Sequence, residues 1–87
     1  MIIYKYVLDN DINTVEIEDK IKRFLDVQIQ NGQIVVWAEL NDECEVKKYK
    51  VIGLGTGWDL KTDAKLNYIA TIQENEYVWH YYWMEVI

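Results

Sequence analysis

The clearest alternation of apolar and polar residues lies in FLDVQIQNGQIVVWAEL, residues 24 to 40, and it predicts a β-hairpin. Asn31-Gly32 supplies the two positive-φ positions that a type I′ turn requires, which sets Gln30 opposite Gln33. One face of the hairpin then carries three apolar cross-strand pairs, Ile29–Ile34, Val27–Val36 and Leu25–Ala38. On the other face Trp37 lies opposite Asp26, so its large ring is a candidate for a pocket, a second layer or an interface.

Five further segments have the composition of strands. They are IIYKYVL (2–8), TVEIE (14–18), EVKKYKVI (45–52) and the two arms of a second hairpin, YIATIQENEYVWHYYWMEVI (68–87), which turns near Asn75. The polar segments DNDIN (9–13) and TDAKLN (62–67) predict a turn and a connection. The segment EIEDKIKRFL (16–25) also fits helical spacing, so it can include one helical turn before a strand that we expect from about Arg23 onward.

The last strand is rich in aromatic residues on both faces. Alternation places Tyr77, Trp79, Tyr81 and Trp83 on one face and Val78, His80, Tyr82, Met84 and Val86 on the other. Such a strand is either central in the core or half of an oligomer interface, and we expect self-association. The elements together predict a single domain over residues 1–87, mainly β, folded as a compact antiparallel β-sandwich or small barrel of about seven strands with at most one short helical turn.

The charge distribution changes this picture more than the total charge does. The 87 residues carry a net charge of −6, which argues against a protein that binds long nucleic acid. Residues 46 to 66 nevertheless hold five lysines against two aspartates, a net charge of +3, while the rest of the chain carries −9. The lysines are Lys47, Lys48, Lys50, Lys61 and Lys65. A small anionic ligand could use such a local basic segment where a polymer could not.

The remaining composition narrows the chemistry. Cys44 is the only cysteine, so no intrachain disulfide can form and a reducing cytoplasm is expected. No apolar stretch is long enough for a membrane span, so we expect no membrane partner. His80 is the only histidine and the chain has no serine, so we expect neither a multi-histidine metal site nor a serine nucleophile. We therefore expect a protein that is not an enzyme and has no cofactor.

The segment VIGLGTGW (51–58) places three alternate glycines inside the basic stretch. Their spacing matches neither a dinucleotide-binding fingerprint nor a P-loop. Strand glycines often mark a bulge or a tight turn. They also allow a ligand to approach the backbone closely, with Thr56 as a hydroxyl donor and Trp58 as a stacking platform.

Two features of the last strand have both a structural and a functional interpretation. His80 can be a partly buried histidine held by a hydrogen bond, or it can contact a ligand or act as a base. The aromatic run YVWHYYW can be core or interface, or it can stack on nucleobases while nearby lysines meet the phosphates.

Three ordered motifs resemble a known pattern: VQIQNG followed by VVWA, then GTG, then YIATIQ followed by YVWHYY. The set is similar to a family of small phage-encoded proteins catalogued as a domain of unknown function. The matching positions are Gln30, Gly32, Trp37, Ala38, Gly55, Thr56, Gly57, Tyr68, Trp79 and His80. The segment IEDKIKRF lacks the proline associated with that family, and the loop after GTG adds a tryptophan and two lysines.

Small phage proteins of this kind include sponges that sequester the cyclic nucleotide signals of bacterial defence systems such as CBASS, and the chain resembles such an anti-CBASS sponge. The resemblance implies immune evasion in the host cell cytoplasm by binding a cyclic dinucleotide, such as cyclic GMP-AMP, without cleaving it. It also implies a homo-oligomer, dimer or tetramer, with a pocket shared by two subunits. The expected ligand-binding residues are Trp37, Lys50, Gly55, Thr56, Gly57, Trp58, Trp79 and His80.

Two other function classes stay open on the sequence. The acidic surface and the aromatic last strand also suit a protein-binding inhibitor or a virion accessory domain. A hydrolase that uses His80 as its base is the third hypothesis, although we expect no enzymatic activity.

Overall fold

The computed structural model describes residues 1–8 and 13–87. They form seven strands: β1 (Ile2–Val7), β2 (Thr14–Asp19), β3 (Ile21–Gln30), β4 (Gln33–Leu40), β5 (Lys47–Gly55), β6 (Asn67–Glu74) and β7 (Tyr77–Val86). Within these ranges there is no helix, and so none long and apolar enough to cross a membrane. Of the turn predicted over residues 9 to 13, residues 9 to 12 lie outside the described part of the chain.

The strands form two antiparallel sheets, in the orders β1-β4-β3 and β2-β5-β7-β6. Buried residues of both sheets form one hydrophobic core, so the architecture is a small β-sandwich. This confirms the mainly β, seven-strand prediction. The helical turn allowed before Arg23 is wrong, because β2 and β3 are separated by Lys20 alone. Ile17 and Ile21 are both buried from different sheets, which explains why their spacing of four imitates a helix.

The first hairpin, β3 and β4, has the predicted turn and most of the predicted register. Gln30 pairs with Gln33, Ile29 with Ile34 and Val27 with Val36. The predicted pair of Leu25 with Ala38 is wrong, because a β-bulge between Phe24 and Asp26 brings Phe24 opposite Ala38 instead. The bulge turns the ring of Phe24 into the core and leaves Leu25 exposed.

Three aromatic rings connect the two sheets at the middle of the sandwich. Phe24 lies 5.5 Å from Trp83 and 5.7 Å from Tyr49, and the rings of Tyr49 and Trp83 are also 5.7 Å apart. Phe24 belongs to β3, whereas the other two rings project from β5 and β7 of the second sheet. The sequence left open which face of the last strand is buried, and the structure shows that Trp83, Trp79 and the fully buried Tyr81 face the core.

Gly53 provides the space in which Tyr81 packs. The two residues are cross-strand partners in β5 and β7, and an added Cβ at Gly53 would lie 2.6 Å from Cε1 of Tyr81. The Tyr81 hydroxyl donates a hydrogen bond to Oδ1 of Asn13, whose backbone carbonyl in turn accepts the Gly53 amide at 3.0 Å. Gly53 and Gly55 thus lie within strand β5, whereas the sequence interpretation ended the strand at the glycines.

Because two tyrosines have a raised pKa in the folded protein, we expect the protein to lose stability at alkaline pH. Burial raises the pKa of Tyr81 from 10.0 to about 12, and burial with a hydrogen bond to Asp19 raises the pKa of Tyr6 as well. The unfolded chain loses these protons near pH 10 while the folded protein retains them, so stability should be complete below pH 10 and should fall as the pH rises towards 12. For Tyr81 alone the loss should reach roughly 2–3 kcal/mol.

Urea unfolding between about pH 8 and pH 12 measures this effect. The variant Tyr81→Phe is less stable at neutral pH but should lose less stability on the alkaline side, because its ring has no proton to lose. An equally steep alkaline fall in both proteins would contradict the assignment to Tyr81.

Candidate functional site

The residues around the predicted glycine loop lie at one end of the four-stranded sheet. Strand β5 pairs with β7 so that Gly55 faces Trp79 and Leu54 faces His80. The chain then turns back, with the Trp58 amide donating to the Gly55 carbonyl at 3.0 Å. Gly57 has a φ of +87°, which the third position of a type II turn requires and which glycine adopts without strain. The GTG motif is therefore the end of a strand followed by a turn.

Trp58, Tyr77 and Trp79 form an aromatic cluster beside this turn. Trp58 meets Trp79 edge to face, with ring centres 5.3 Å apart and planes at 86°, and Tyr77 stacks on Trp79 at 5.9 Å and 24°. Trp79 packs against the core, whereas Trp58 and Tyr77 are 62% and 64% exposed. The cluster therefore combines one anchored ring with two rings open to solvent.

Gly55 determines the position of Trp58. An added Cβ at Gly55 would lie 2.8 Å from Cε2 of Trp58, so the indole rests directly on the glycine. The indole N–H of Trp79 is buried and has no hydrogen-bond partner among residues 1–8 and 13–87. This end of the sheet thus holds an exposed ring and an unpaired donor beside each other.

A row of hydroxyl groups and one imidazole lies on the opposite, outward face of the same sheet. Nε2 of His80 is 2.8 Å from Oγ1 of Thr56, and its Nδ1 is 3.1 Å from Oγ1 of Thr71. Oγ1 of Thr71 is in turn 2.7 Å from the Tyr68 hydroxyl. Both ring nitrogens of His80 are therefore engaged, which agrees with the structural interpretation of this residue. Alternation along β7 explains why His80 and Trp79 point to opposite faces.

The basic segment is largely matched by acidic residues of strand β2. The register of β2 and β5 sets Lys50 opposite Glu16, Lys48 opposite Glu18 and Lys47 opposite Asp19. Lys47 also forms an ion pair with Glu85 at 3.4 Å. The net charge of +3 counted along the chain therefore overstates the positive charge around these three lysines. The positive charges that remain near the turn are those of the loop, of which Lys61 forms an exposed ion pair with Asp59 at 2.9 Å.

Two further expected ligand residues lie away from the turn. Trp37 is in β4 of the other sheet, on its outward face between Lys5 of β1 and Asp26 of β3. Lys50 shares the outward face of β5 with Leu54 but pairs with Met84, four residues along β7 from His80. The structure thus brings Gly55, Thr56, Gly57, Trp58, Trp79 and His80 to one end of the same sheet, with Trp58 and Trp79 on one face and Thr56 and His80 on the other. It does not bring Trp37 or Lys50 there.

Surface grooves of similar size lie both beside this loop and away from it. One of about 540 Å³ is lined by Leu60, Lys61, Thr62 and Asp63. Another, of about 520 Å³, is bounded by the start of β1, the corner between β2 and β3, and the loop after β4. A third, of about 480 Å³, is lined by Trp83, Asn67 and Lys65, among others. Among the described residues there is no group of three or more His, Cys, Asp or Glu side chains that could hold a metal ion.

A family model described as Domain of unknown function (DUF7352) matches residues 1–86. The chain belongs to this family. No curated protein and no solved structure matches the chain.

Three residues of the DUF7352 site were not predicted as ligand-binding from the sequence: Tyr68, Thr71 and Tyr77. The two-residue loop at Asn75 sets Glu74 opposite Tyr77, and counting back from it pairs Thr71 with His80. The position of Thr71 beside His80 could therefore have been predicted from the hairpin turn. The pairing of Tyr68 with Tyr82 could not be predicted in this way, because a bulge at Ile69 shifts the register.

Proposed function

We propose that this protein binds a nucleotide and holds its base on the exposed aromatic cluster of Trp58, Tyr77 and Trp79, without cleaving it. The observation that carries the proposal is the position of Trp58. A tryptophan 62% exposed to solvent is placed on a glycine and against a second tryptophan, where it contributes little to the core. Rings held in this way provide a flat surface for stacking on a base.

The groups around the cluster suit the polar parts of a nucleotide. The turn exposes Gly57 beside open space, so a phosphate can approach its backbone closely. Lys61, in the loop that follows, is engaged only in an exposed ion pair, and such pairs are weak enough to be exchanged for a phosphate.

The arrangement of His80 supports binding rather than catalysis. Its two ring nitrogens already meet hydroxyl groups of Thr56 and Thr71, and no carboxylate takes part in that row among the described residues. A histidine held between two hydroxyls is oriented, and it positions Thr56 at the start of the turn. Recovery of an intact nucleotide after long incubation with the protein would exclude the competing hydrolase hypothesis.

On the resemblance to an anti-CBASS sponge, we propose a cyclic dinucleotide as the ligand class and its sequestration in an infected cell as the role. Such a ligand has two bases and two phosphates, so it would need stacking surfaces and donors in pairs. Two copies of the cluster, one from each subunit of an oligomer, would supply them. A calorimetric panel of cyclic dinucleotides and mononucleotides would separate this class from simpler nucleotides.

The variant Trp58→Ala should weaken nucleotide binding about tenfold to a hundredfold, because stacking on one ring is worth roughly 1–3 kcal/mol per base. The variant Gly55→Ala should weaken binding similarly, since the new methyl group would displace the Trp58 ring from its place. Isothermal titration calorimetry, with urea unfolding in parallel, measures both effects.

Leu60→Ala is the matched control, because Leu60 is an exposed apolar residue of the same loop. It should leave affinity unchanged. If none of the nucleotides binds the native protein at micromolar concentrations, the proposal is wrong. If binding is present but both Trp58→Ala and Gly55→Ala retain it, the site lies elsewhere.

The outward face of the four-stranded sheet favours a second candidate function, the binding of another protein. Ile52, Leu54, Tyr82 and Met84 lie side by side there and are only half-buried. The acidic protein-binding inhibitor or virion accessory domain would use this face. If this function is correct, the native protein should capture a partner protein that the variant Tyr82→Glu does not. Nucleotides should then leave the melting temperature of the native protein unchanged.

A further inference from the structure

Strand β1 is an edge strand with apolar side chains exposed on both faces. It pairs with β4 on one side, and among the described residues no strand pairs with its other side. Ile2, Ile3 and Tyr4 are 62%, 53% and 51% exposed, and Val7 is exposed as well. A straight apolar strand with a free edge is the feature that leads strands of separate chains to pair.

The hydrogen bonds of β1 show which backbone groups are free. The Leu8 amide donates to the Ile34 carbonyl at 2.9 Å, in continuous register with the pairing of β1 and β4. In an antiparallel pair the inward and outward directions alternate along the strand. Even-numbered residues of β1 therefore direct their amides and carbonyls to β4. Ile3, Lys5 and Val7 direct theirs to the free edge.

The other three edge strands carry features that oppose such pairing. Strand β3 has two bulges and strand β6 has one, and bulges interrupt the ladder that a partner strand would need. Strand β2 is regular but carries Glu16, Glu18 and Asp19, which would repel the same strand of a second copy. Among the edges of the two sheets, β1 alone is regular, apolar and almost uncharged.

We propose that two copies of this chain pair antiparallel through β1, which joins their three-stranded sheets into one six-stranded sheet. The partner strand is β1 of a second copy, because this regular and nearly uncharged edge can pair with itself. In that pairing, residues that face the core of one copy lie opposite residues that face the core of the other, so both cores lie on the same side of the joined sheet. The interface lies on the three-stranded sheet, whereas the proposed nucleotide site lies on the other sheet, so a ligand shared by two clusters would need a second contact, between dimers.

Charge and side-chain direction choose between the two registers centred on the middle of β1, at Tyr4 or at Lys5. Residues opposite each other in a sheet must share a face, so only registers in which a residue of β1 meets its own copy are allowed. A register centred on Lys5 would place two ammonium groups opposite each other, which is unfavourable. A register centred on Tyr4 places Tyr4 opposite Tyr4, Ile2 opposite Tyr6 and Ile3 opposite Lys5 of the second copy. The free amides and carbonyls of Ile3 and Lys5 then bond to one another.

The outward face of β7 is a weaker candidate for the same role. Val78, His80, Tyr82 and Met84 are each half-buried by neighbouring strands of their own sheet, and all backbone groups of β7 lie between β5 and β6. In β1 every side chain except that of Tyr6 is exposed, and among the described residues no strand covers its outer backbone edge. The expected oligomer is therefore built through β1 rather than through the aromatic last strand.

Sedimentation velocity from about 1 to 500 μM protein should show a monomer converting to a dimer, as expected for an interface at the small end of the specific size range. In a Cys44→Ala background, Tyr4→Cys should form a disulfide-linked dimer under mild oxidation, since directly opposite residues in a non-hydrogen-bonded pair approach within disulfide distance. Ile2→Cys and Tyr6→Cys should not self-link but should link to each other when mixed.

Lys5→Pro tests the backbone edge. It removes one outward amide from each copy and leaves the ladder with β4 intact, so it should raise the dimer Kd at least about tenfold. Circular dichroism checks that this variant remains folded. If the native protein stays monomeric over the whole concentration range, or if Lys5→Cys links to itself and Tyr4→Cys does not, the proposed interface is wrong. A dimer that Lys5→Pro leaves unchanged overturns it as well.

Discussion

Replacing Gly53 with alanine should strongly destabilise the protein and lower its urea midpoint. The added Cβ would lie 2.4 Å from Nδ2 of Asn13 and 2.6 Å from Cε1 of Tyr81. The Asn13 amide could rotate only by releasing the Tyr81 hydroxyl, and the Tyr81 ring is fully buried. Overpacking together with the lost hydrogen bond should cost about 3–4 kcal/mol, a large part of the stability of a small domain.

Gly57→Ala is the matched control for this result. Gly57 has a positive φ of 87°, but an added Cβ there would meet nothing within 4 Å. Only backbone strain remains, roughly 1–2 kcal/mol. Urea unfolding of both variants at neutral pH measures the difference. If Gly57→Ala is the more destabilised of the two, Gly53 does not serve the packing of Tyr81.

The same three glycines show how far the sequence predicted this end of the molecule. Their spacing correctly excluded the phosphate-loop motifs, and the turn at Gly57 was among the predicted alternatives. The role of Gly53 could not be predicted, because it depends on Asn13 and Tyr81, which are 68 residues apart in the chain. The sequence alone does not distinguish a glycine that makes room for an aromatic ring from one that allows a turn.

The hairpins were predictable because short-range chemistry determines them. Asn31-Gly32 set the register of five cross-strand pairs, from Gln30–Gln33 to Asp26–Trp37. The prediction failed at Leu25, where the polar-apolar pattern of residues 23 to 26 is compatible with either register. The choice is made by the contacts of Phe24 with Tyr49 and Trp83, which belong to a different sheet.

The candidate site was predictable in part. The motif residues from Gly55 to Trp58 and the pair Trp79-His80 do lie together, since β5 and β7 are neighbours. The charge around the lysines was misinterpreted because it was summed along the chain, whereas charges interact through space. Strand β2 places Glu16 and Glu18 opposite Lys50 and Lys48, and no local sequence pattern predicts that pairing.

Replacing Trp83 with alanine should cause a loss of stability as large as that of Gly53→Ala, but for the opposite reason. The ring of Trp83 contacts Phe24 and Tyr49 at the junction of the two sheets, so its removal leaves a cavity between them. Truncation of a large core aromatic costs roughly 3–5 kcal/mol. The urea midpoint should fall accordingly, and the melting temperature should decrease in parallel.

Trp37→Ala is the matched control for Trp83→Ala. Trp37 is also half-buried on a central strand, but it faces outward between Lys5 and Asp26 and takes no part in the contact between the sheets. Its truncation should cost only about 1–2 kcal/mol of lost apolar burial. Equal losses in the two variants would mean that the ring junction does not hold the sheets together.

Because Trp58 is exposed, Trp58→Ala should change stability least of the three tryptophan variants and nucleotide affinity most. These opposite rankings would distinguish a residue that binds the ligand from residues that stabilise the fold.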